Sequence, residues 1–200
     1  MSSRAYRTRP RKRSTDTRDR ITAAVHELLA EGAFHEATVE EVAERAGVSR
    51  ATVYQHFGSR IELIDGVCDI MNAHPALVEI RRVIGLPDAK EALTKMLANC
   101  VRVWSDERRV MAELYGVVAI DTGAKAFVER QRRDRRHECD RMVESLAHTG
   151  ALRQGMSRAR ALATLLVLTS FETYSELREA GLSDRRLTAF LQDAAARELL

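Results

Sequence analysis

The sequence predicts an all-α protein with an N-terminal domain of three helices and a larger C-terminal helical domain. Apolar residues recur at helical spacing through most of the 200 residues, and strand signals are almost absent. The stretch from Thr38 to Arg60 has the outline of two short helices joined by a tight turn, which is a helix-turn-helix. A composition of 45% hydrophobic and 30% charged residues is typical of a globular chain.

The N-terminal segment is strongly basic. Residues 1–20 hold eight Lys or Arg and two Asp, and the rest of the chain has no excess of basic residues. The positive formal net charge therefore comes from the segment beside the helix-turn-helix. We expect residues 1–17 to form a disordered basic arm that is attracted to phosphate and can enter a minor groove. A tail that only keeps the protein soluble is the alternative.

The first helix is predicted from a single apolar stripe, Ile21, Val25, Leu28 and Leu29, and Gly32 follows it. This helix opens a domain that we expect to span residues 18–66.

The helix-turn-helix is predicted from its capping residues. Thr38 and Glu41 have the spacing of a capping box at the start of the second helix. Gly47 ends that helix at the position that favours a left-handed backbone. Ser49 and Ser59 are suited to cap the third and fourth helices.

The third helix has a buried side and a polar side. Val53 and Phe57 lie within about 40° of each other on a helical wheel and mark the buried side. The opposite face is small at its centre and polar at its rims, as a helix in a major groove requires. Its residues are Arg50, Ala51, Thr52, Tyr54, Gln55 and His56. The alternative is the solvated face of an ordinary short helix.

Residues 18–66 resemble the DNA-binding domain of the TetR family of bacterial transcriptional regulators, and the string GVSRATVYQHFGSRIEL is the most specific part of the match. The resemblance implies base contacts from Arg50, Ala51 and Gln55. It implies phosphate contacts from Thr38, Thr52, Tyr54, His56 and Arg60. It also implies a homodimer that binds a palindromic operator on double-stranded DNA, and a small-molecule effector.

The C-terminal domain is expected to span residues 67–200. Helices are expected from Arg60 to just before Pro75, over 88–104, from Asp106 to Ile120, from after Gly123 to Thr149, over 157–180 and over 183–199. Asp88, Asp106 and Ser183 are expected to cap the helices that follow them. Asp121, Thr122 and Gly123 are expected to break the pattern, and residues 76–87 to be a looser connection. The charged stretch 130–141 is better explained as a solvated helix face than as a second nucleic-acid surface.

The helix predicted over 157–180 is apolar almost all the way round, so it must be covered on more than one side. We expect a second subunit to cover it, in a four-helix bundle built from the last two helices of each chain. The expected interface residues are Leu165, Leu168, Leu187, Phe190 and Leu191. The alternative is a helix that is internal to a monomer.

An effector pocket is expected in the middle of the C-terminal domain. Methionine and aromatic side chains line permissive apolar pockets, although they also fill ordinary cores. The candidates are Met96, Cys100, Trp104, Met111, Tyr115, Met142, Phe171 and Tyr174. The chemistry of the ligand is not readable from these residues.

Several classes of protein are not supported by the sequence. No apolar run reaches the length of a membrane span. No cofactor motif or catalytic set is present, and His137 and Cys139 face different sides of a helix, which argues against a metal site. The three cysteines lack a paired spacing, so we expect reduced thiols. The expected function is a cytoplasmic, ligand-responsive repressor. A helical enzyme with a DNA-targeting domain and a constitutive DNA-organising protein are the rivals.

Overall fold

The computed structural model describes the backbone of residues 11–120 and 125–200, and the side chains of residues 15–117 and 128–200. Within these ranges the chain is all α-helical, with eleven helices and no strand, so the predicted fold class is confirmed. None of the helices in the described residues is long and apolar enough to cross a membrane. The predicted break at residues 121–123 lies outside the described residues.

The helices are, in chain order, α1 (Arg11–Glu31), α2 (Val39–Arg45), α3 (Arg50–His56), α4 (Arg60–Asn72), α5 (Pro75–Val83), α6 (Ala89–Asp106), α7 (Arg108–Ile120), α8 (Lys125–His148), α9 (Arg158–Leu168), α10 (Phe171–Glu179) and α11 (Asp184–Leu199). The chain divides into two compact units between Ile70 and Met71. Helix α4 therefore begins in the first unit, and its last two residues belong to the second.

The first unit is built around the apolar stripe of α1. The predicted stripe residues are all completely buried, and Val53 and Phe57 of α3 are buried as expected. Gly66 of α4 allows a close approach to this core. A Cβ built on Gly66 would lie 2.9 Å from Thr22 Oγ1 and 3.1 Å from Phe57 Cε1. The absence of a side chain at Gly66 therefore sets how closely α4 packs against α1 and α3.

The basic arm is shorter than the sequence suggested. Residues 11–17 were expected to be disordered, but α1 begins at Arg11. Proline at position 10 is unsuited to a helix interior, whereas the run from Arg11 to Glu31 contains no proline or glycine to interrupt the helix. Residues 1–10, with Arg4, Arg7 and Arg9, lie outside the described residues.

Residues 76–87 are not a loose connection, because most of them form α5. Pro75 is the first residue of this helix, where proline is favourable since the missing N–H would have no partner there. His74 caps the helix, and its Nδ1 accepts a hydrogen bond from the Ala76 N–H at 3.2 Å. The proline was correctly predicted to follow the end of α4, but it also starts the next helix.

The helix expected over 157–180 is two helices, α9 and α10. Between them, Ser170 caps α10 by accepting a hydrogen bond from the Thr173 N–H at 3.1 Å. Hydroxyl side chains compete with helical backbone bonds in this way, which explains the break. Asp106 was expected to cap the helix that follows it, but it is the last residue of α6. Asp88 and Ser183 cap α6 and α11 as predicted.

The second unit has one continuous apolar core to which α5, α6, α8, α9 and α11 contribute. Ala89, Leu93, Met96 and Leu97 of α6 are buried in it. The chain end closes this core, because Leu199 is completely buried. The core leaves space between α5, α6 and α8, and that space is the principal cavity described below.

Candidate nucleic-acid interface and ligand pocket

The turn between α2 and α3 is a well-defined helix stop. Gly47 has a φ of 61°, in the left-handed region that favours glycine. Its N–H donates to Glu44 O at 3.0 Å, and the N–H of Val48 donates to Ala43 O at 2.9 Å. This pair of bonds is a Schellman motif, which satisfies the last carbonyls of α2. The sequence prediction for Gly47 is therefore confirmed.

The predicted caps of the helix-turn-helix are also confirmed. Thr38 Oγ1 accepts from the Glu41 N–H at 3.2 Å, and Ser49 Oγ accepts from the Thr52 N–H at 3.1 Å. At the start of α4, Ser59 Oγ accepts from the Glu62 N–H at 3.2 Å. These local bonds fix where each short helix begins.

The two sides of α3 differ sharply in exposure. Val53 and Phe57 are each 1% exposed, whereas Tyr54 is 47% exposed. Arg50, Ala51 and Gln55 are exposed as well, and Thr52 and His56 are half-buried. Helix α3 is thus anchored by two apolar side chains and presents a face that is small at its centre.

Two arginines of α1 hold α3 and the turn before it. Arg20 donates from Nε to Ala46 O at 3.0 Å and from Nη2 to Gly47 O at 2.8 Å. Arg18 donates from Nη1 to His56 O at 3.2 Å, and its guanidinium lies 4.3 Å from the centre of the Phe57 ring. From the sequence, Arg18 and Arg20 were recognised only as part of an excess of positive charge. Their role depends on tertiary contacts, so no local signal identifies it.

Arg50 is paired within the protein. Its Nη1 lies 2.6 Å from Glu40 Oε1, and its guanidinium lies 5.5 Å from the centre of the Tyr54 ring. A hydrogen bond with Tyr54 and the charge of Glu40 raise the pKa of Arg50 above its ordinary value. Arg50 is therefore a cation whose position is set by an acidic neighbour, and any contact with a phosphate or base competes with Glu40.

Arg60 serves the loop between α1 and α2. Its guanidinium donates to Ala37 O at 2.6 Å and to Phe34 O, and it lies 4.1 Å from the centre of the Phe34 ring. The resemblance implied a phosphate contact at this position. These bonds assign Arg60 to support of the loop, and the phosphate contact expected from the resemblance would use its remaining N–H groups and stays a prediction.

The second unit contains a cavity in the region where an effector pocket is expected, and some of the expected residues line it. The principal cavity holds about 630 Å³ of space between atoms, including its open mouth. Met96, Cys100 and Trp104 line it as predicted. A smaller cavity, which shares Trp104 with the first, is lined by the predicted Met111, Tyr115 and Phe171. Met142 and Tyr174 line neither cavity and are buried, so their assignment to the pocket is corrected.

The charged stretch of α8 is only partly a solvated face. Its side chains at 132, 133 and 136 are exposed, as predicted. The stripe Gln131, Asp134, Arg135 and Glu138 recurs at helical spacing and lines the principal cavity, although Asp134 is also exposed to solvent. Sequence reasoning missed this stripe because the surrounding arginines conceal its period.

A hydrogen-bond network around Thr169 closes one side of the cavity. Trp104 Nε1 donates to Thr169 O at 3.0 Å. Arg135 Nη1 donates to Leu166 O at 2.5 Å and to Thr169 Oγ1 at 3.2 Å. Burial raises the pKa of Cys100, so its thiol stays neutral and belongs to the apolar part of the wall.

The expected interface residues are divided between core and surface. Leu165, Leu187 and Leu191 are buried inside a single chain, so they cannot form a subunit interface directly. Leu168 is half-buried, and Phe190 is 52% exposed. The apolar face of α9 was attributed to a partner because the packing of α11 and α8 against it within the chain was not foreseen.

Three comparisons with known proteins each find similarity to transcriptional regulators. The family model for bacterial regulatory proteins of the tetR family matches residues 21–67. The HTH-type transcriptional regulator SrpR of Pseudomonas putida is 29% identical over 86 residues, which are 43% of this chain and 40% of SrpR. The uncharacterized HTH-type transcriptional regulator TtgW, also of Pseudomonas putida, is likewise 29% identical over 86 residues, 43% of this chain and 63% of TtgW. Less than two thirds of each curated relative is thus matched.

The fold extends further than the sequence likeness. A crystal structure of a TetR-family transcriptional regulator from Rhodococcus sp. superposes with a TM-score of 0.77 at 19% identity, over 93% of this chain and 100% of that one. At this identity the likeness concerns the fold alone. It covers the helices of the second unit, which the family model does not reach.

Proposed function

We propose that the chain, whose residues 21–67 match the model of the tetR family of bacterial regulatory proteins, is a DNA-binding transcriptional regulator of that family and not an enzyme. In this proposal it is a repressor that a small molecule releases from a palindromic operator. It acts in the cytoplasm, where the operator is accessible. In this proposal α3 enters the major groove, and the second unit receives the effector and forms the homodimer.

The observation that carries the proposal is the division of α3 into an anchored side and an open side. Val53 and Phe57 are buried, and the residues that would face DNA are exposed or half-buried. We propose that Arg50, Ala51 and Gln55 approach bases. The residues proposed to contact phosphates are Thr38, Thr52, Tyr54 and His56. A helix held in this way can enter a groove without reorganising the unit.

Dimerisation is supported by apolar surface near the chain end. Val167 of α9 is 61% exposed and Phe190 of α11 is 52% exposed, although both helices bury their other faces in the core. We propose that Phe190, Val167 and the half-buried Leu168 pack against a second copy. Two α3 helices related by a two-fold axis would then read the two halves of a palindrome.

The effector role is supported by the position of α4 in the chain. Helix α4 follows α3 directly, and its last residues, Met71 and Asn72, line the principal cavity. A ligand that favours one position of Met71 would change the population of α4 positions. We propose that this shift lowers affinity for the operator.

The test begins with selection of bound duplexes from a random pool, followed by affinity measurements on the recovered site. Tyr54→Ala should weaken binding to both the selected duplex and random DNA, because a phosphate contact carries no sequence information. Tyr115→Ala is the matched control, since this tyrosine lies in the second unit at the smaller cavity. Equal affinities for wild type and Tyr54→Ala would contradict the docking of α3.

A further inference from the structure

The smaller and the principal cavity meet at Gln131. This residue lines both cavities together with Trp104 and Arg135. Its side-chain Nε2 is buried and has no hydrogen-bond partner within the part of the chain that the structure describes. A buried donor without an acceptor is unfavourable, so a ligand that offers an acceptor at this point gains more than the bond alone.

The charged groups of the principal cavity compensate one another. The lining contains two cations, Arg81 and Arg135, and two acids, Asp134 and Glu138. Glu138 Oε1 lies 3.5 Å from Arg81 Nε, and its Oε2 lies 3.2 Å from Arg141 Nη1. An ionic ligand would therefore lose hydration without meeting an uncompensated opposite charge.

Arg135 is committed to the protein itself. Its Nη1 donates to Leu166 O and to Thr169 Oγ1, so a carboxylate could reach this guanidinium only through its remaining N–H groups. In the smaller cavity, Arg132 is likewise paired with Glu172, with 3.3 Å between Nη2 and Oε1. Arg81 and Arg132 are thus paired with acids, and Arg135 is held in place by a carbonyl and a hydroxyl oxygen.

Apart from Asn72 and Thr169, whose side-chain oxygens accept from Arg81 and Arg135, the rest of the principal wall is apolar. Its residues are Met71, Leu77, Ile80, Met96, Cys100 and Val103. The indole N–H of Trp104 is used by Thr169 O, so only its ring is left to face a ligand. An apolar body with one polar group fits such a wall.

We propose that the cavity takes a neutral, mostly apolar molecule with a single hydrogen-bond acceptor, such as a ketone carbonyl, and that the side-chain amide of Gln131 receives this acceptor. Gln131 then determines specificity, separating neutral acceptors from hydrocarbons and from carboxylates. This inference rests on the proposed function only for the assumption that the cavity is a ligand site.

Calorimetry on the full chain with three probes of similar size tests the inference. The probes are 4-ethylacetophenone, 1-ethyl-4-isopropylbenzene and 4-ethylbenzoate. We expect the ketone-to-hydrocarbon affinity ratio of the wild type to be about tenfold higher than that of a variant without the amide, the effect of one satisfied buried donor. The carboxylate should bind most weakly. Trp104 is the only tryptophan in the chain, so a change in its fluorescence places the probe in this cavity.

Substitutions separate the amide from the rest of the wall. Gln131→Leu should reduce the ketone-to-hydrocarbon affinity ratio about tenfold without loss of hydrocarbon binding. Gln131→Glu, which has the same shape but no amide donor, should also remove the ketone preference and serves if the leucine variant does not fold. Gln154→Leu, at an exposed glutamine outside both cavities, should leave the ratio unchanged.

Three outcomes would overturn the inference: no saturable ketone binding, tighter binding of the carboxylate, or an unchanged ratio in both Gln131 variants. Measuring operator affinity with and without the ketone distinguishes failure of this inference from failure of the proposed function. If the ketone binds through Gln131 but operator affinity is unaffected, the specificity of the cavity stands and its role in release from DNA does not.

Discussion

Replacing Gly66 with alanine should destabilise the first unit, although alanine is the better helix former. An alanine in a helix interior is favoured over glycine by about 1 kcal/mol. At Gly66 the new Cβ would lie 2.9 Å from Thr22 Oγ1, 3.2 Å from Thr22 Cγ2 and 3.1 Å from Phe57 Cε1. Overpacking of this kind costs about 1–3 kcal/mol. We therefore expect Gly66→Ala to lower the free energy of unfolding by about 1 kcal/mol.

A matched variant gives the opposite sign. Gly116 lies in α7, and a Cβ built there meets no described heavy atom within 4 Å. Gly116→Ala should therefore raise the free energy of unfolding by up to about 1 kcal/mol. The assay is urea unfolding followed by circular dichroism at 222 nm. Both variants are measured at one protein concentration, because the proposed dimerisation would make stability depend on concentration.

A second substitution identifies the contacts responsible. Thr22→Ala removes two of the three atoms that crowd the new Cβ, so Gly66→Ala should cost less in that background. The steric argument would be refuted if Gly66→Ala stabilised the protein as much as Gly116→Ala. It would also be refuted if the cost were the same with and without Thr22.

Three other perturbations test the DNA face and the dimer. Gln55→Ala should change base preference at one position of the selected site, at a cost of about 1–3 kcal/mol measured by binding to single-base variants. Glu40→Gln should raise DNA affinity by about threefold, because it frees Arg50 from an ion pair with 2.6 Å between Nη1 and Oε1. A reduced affinity would instead show that Glu40 itself aids binding. In sedimentation, the wild type should have twice the 22.5 kDa mass of the chain and Phe190→Glu should be a monomer. Val78→Glu, at a site equally 52% exposed, should remain a dimer.

Local features of the first unit could be predicted from the sequence because short-range hydrogen bonds determine them. Thr38 and Ser49 each accept from a backbone N–H three residues ahead, and Gly47 supplies a left-handed turn between them. The burial of Val53 and Phe57 follows from helical periodicity alone. These residues were enough to place α2 and α3.

Features that depend on packing were missed. Arg20 and Arg60 bind carbonyl groups 26 and 23 residues away, and no local pattern marks an arginine for that role. Leu187 and Leu191 are buried inside the chain, whereas from the sequence they were expected at a subunit interface. The amide of Gln131 is distinctive only because a cavity lies beside it.

Two helix boundaries were predicted wrongly for a different reason. Proline is a stop signal in a helix interior but a favourable first residue, and at Pro75 both meanings apply at once. Ser170 lies within an apolar run that reads as continuous helix, and only its bond to the Thr173 N–H shows the new start. The free-energy difference between starting a new capped helix and continuing the old one is small, so the surrounding packing decides which occurs.

A single reversed charge on α3 tests the central claim that its open face binds DNA. Ala51 is an exposed alanine at the middle of that face, and Ala112 is an exposed alanine on α7. On the duplex recovered by selection, Ala112→Glu should bind with the wild-type Kd, whereas Ala51→Glu should bind at least about a hundredfold more weakly, because it puts a carboxylate against the groove. Both variants should keep the helical circular dichroism of the wild type. Wild-type affinity in Ala51→Glu would contradict the claim that α3 lies in the groove.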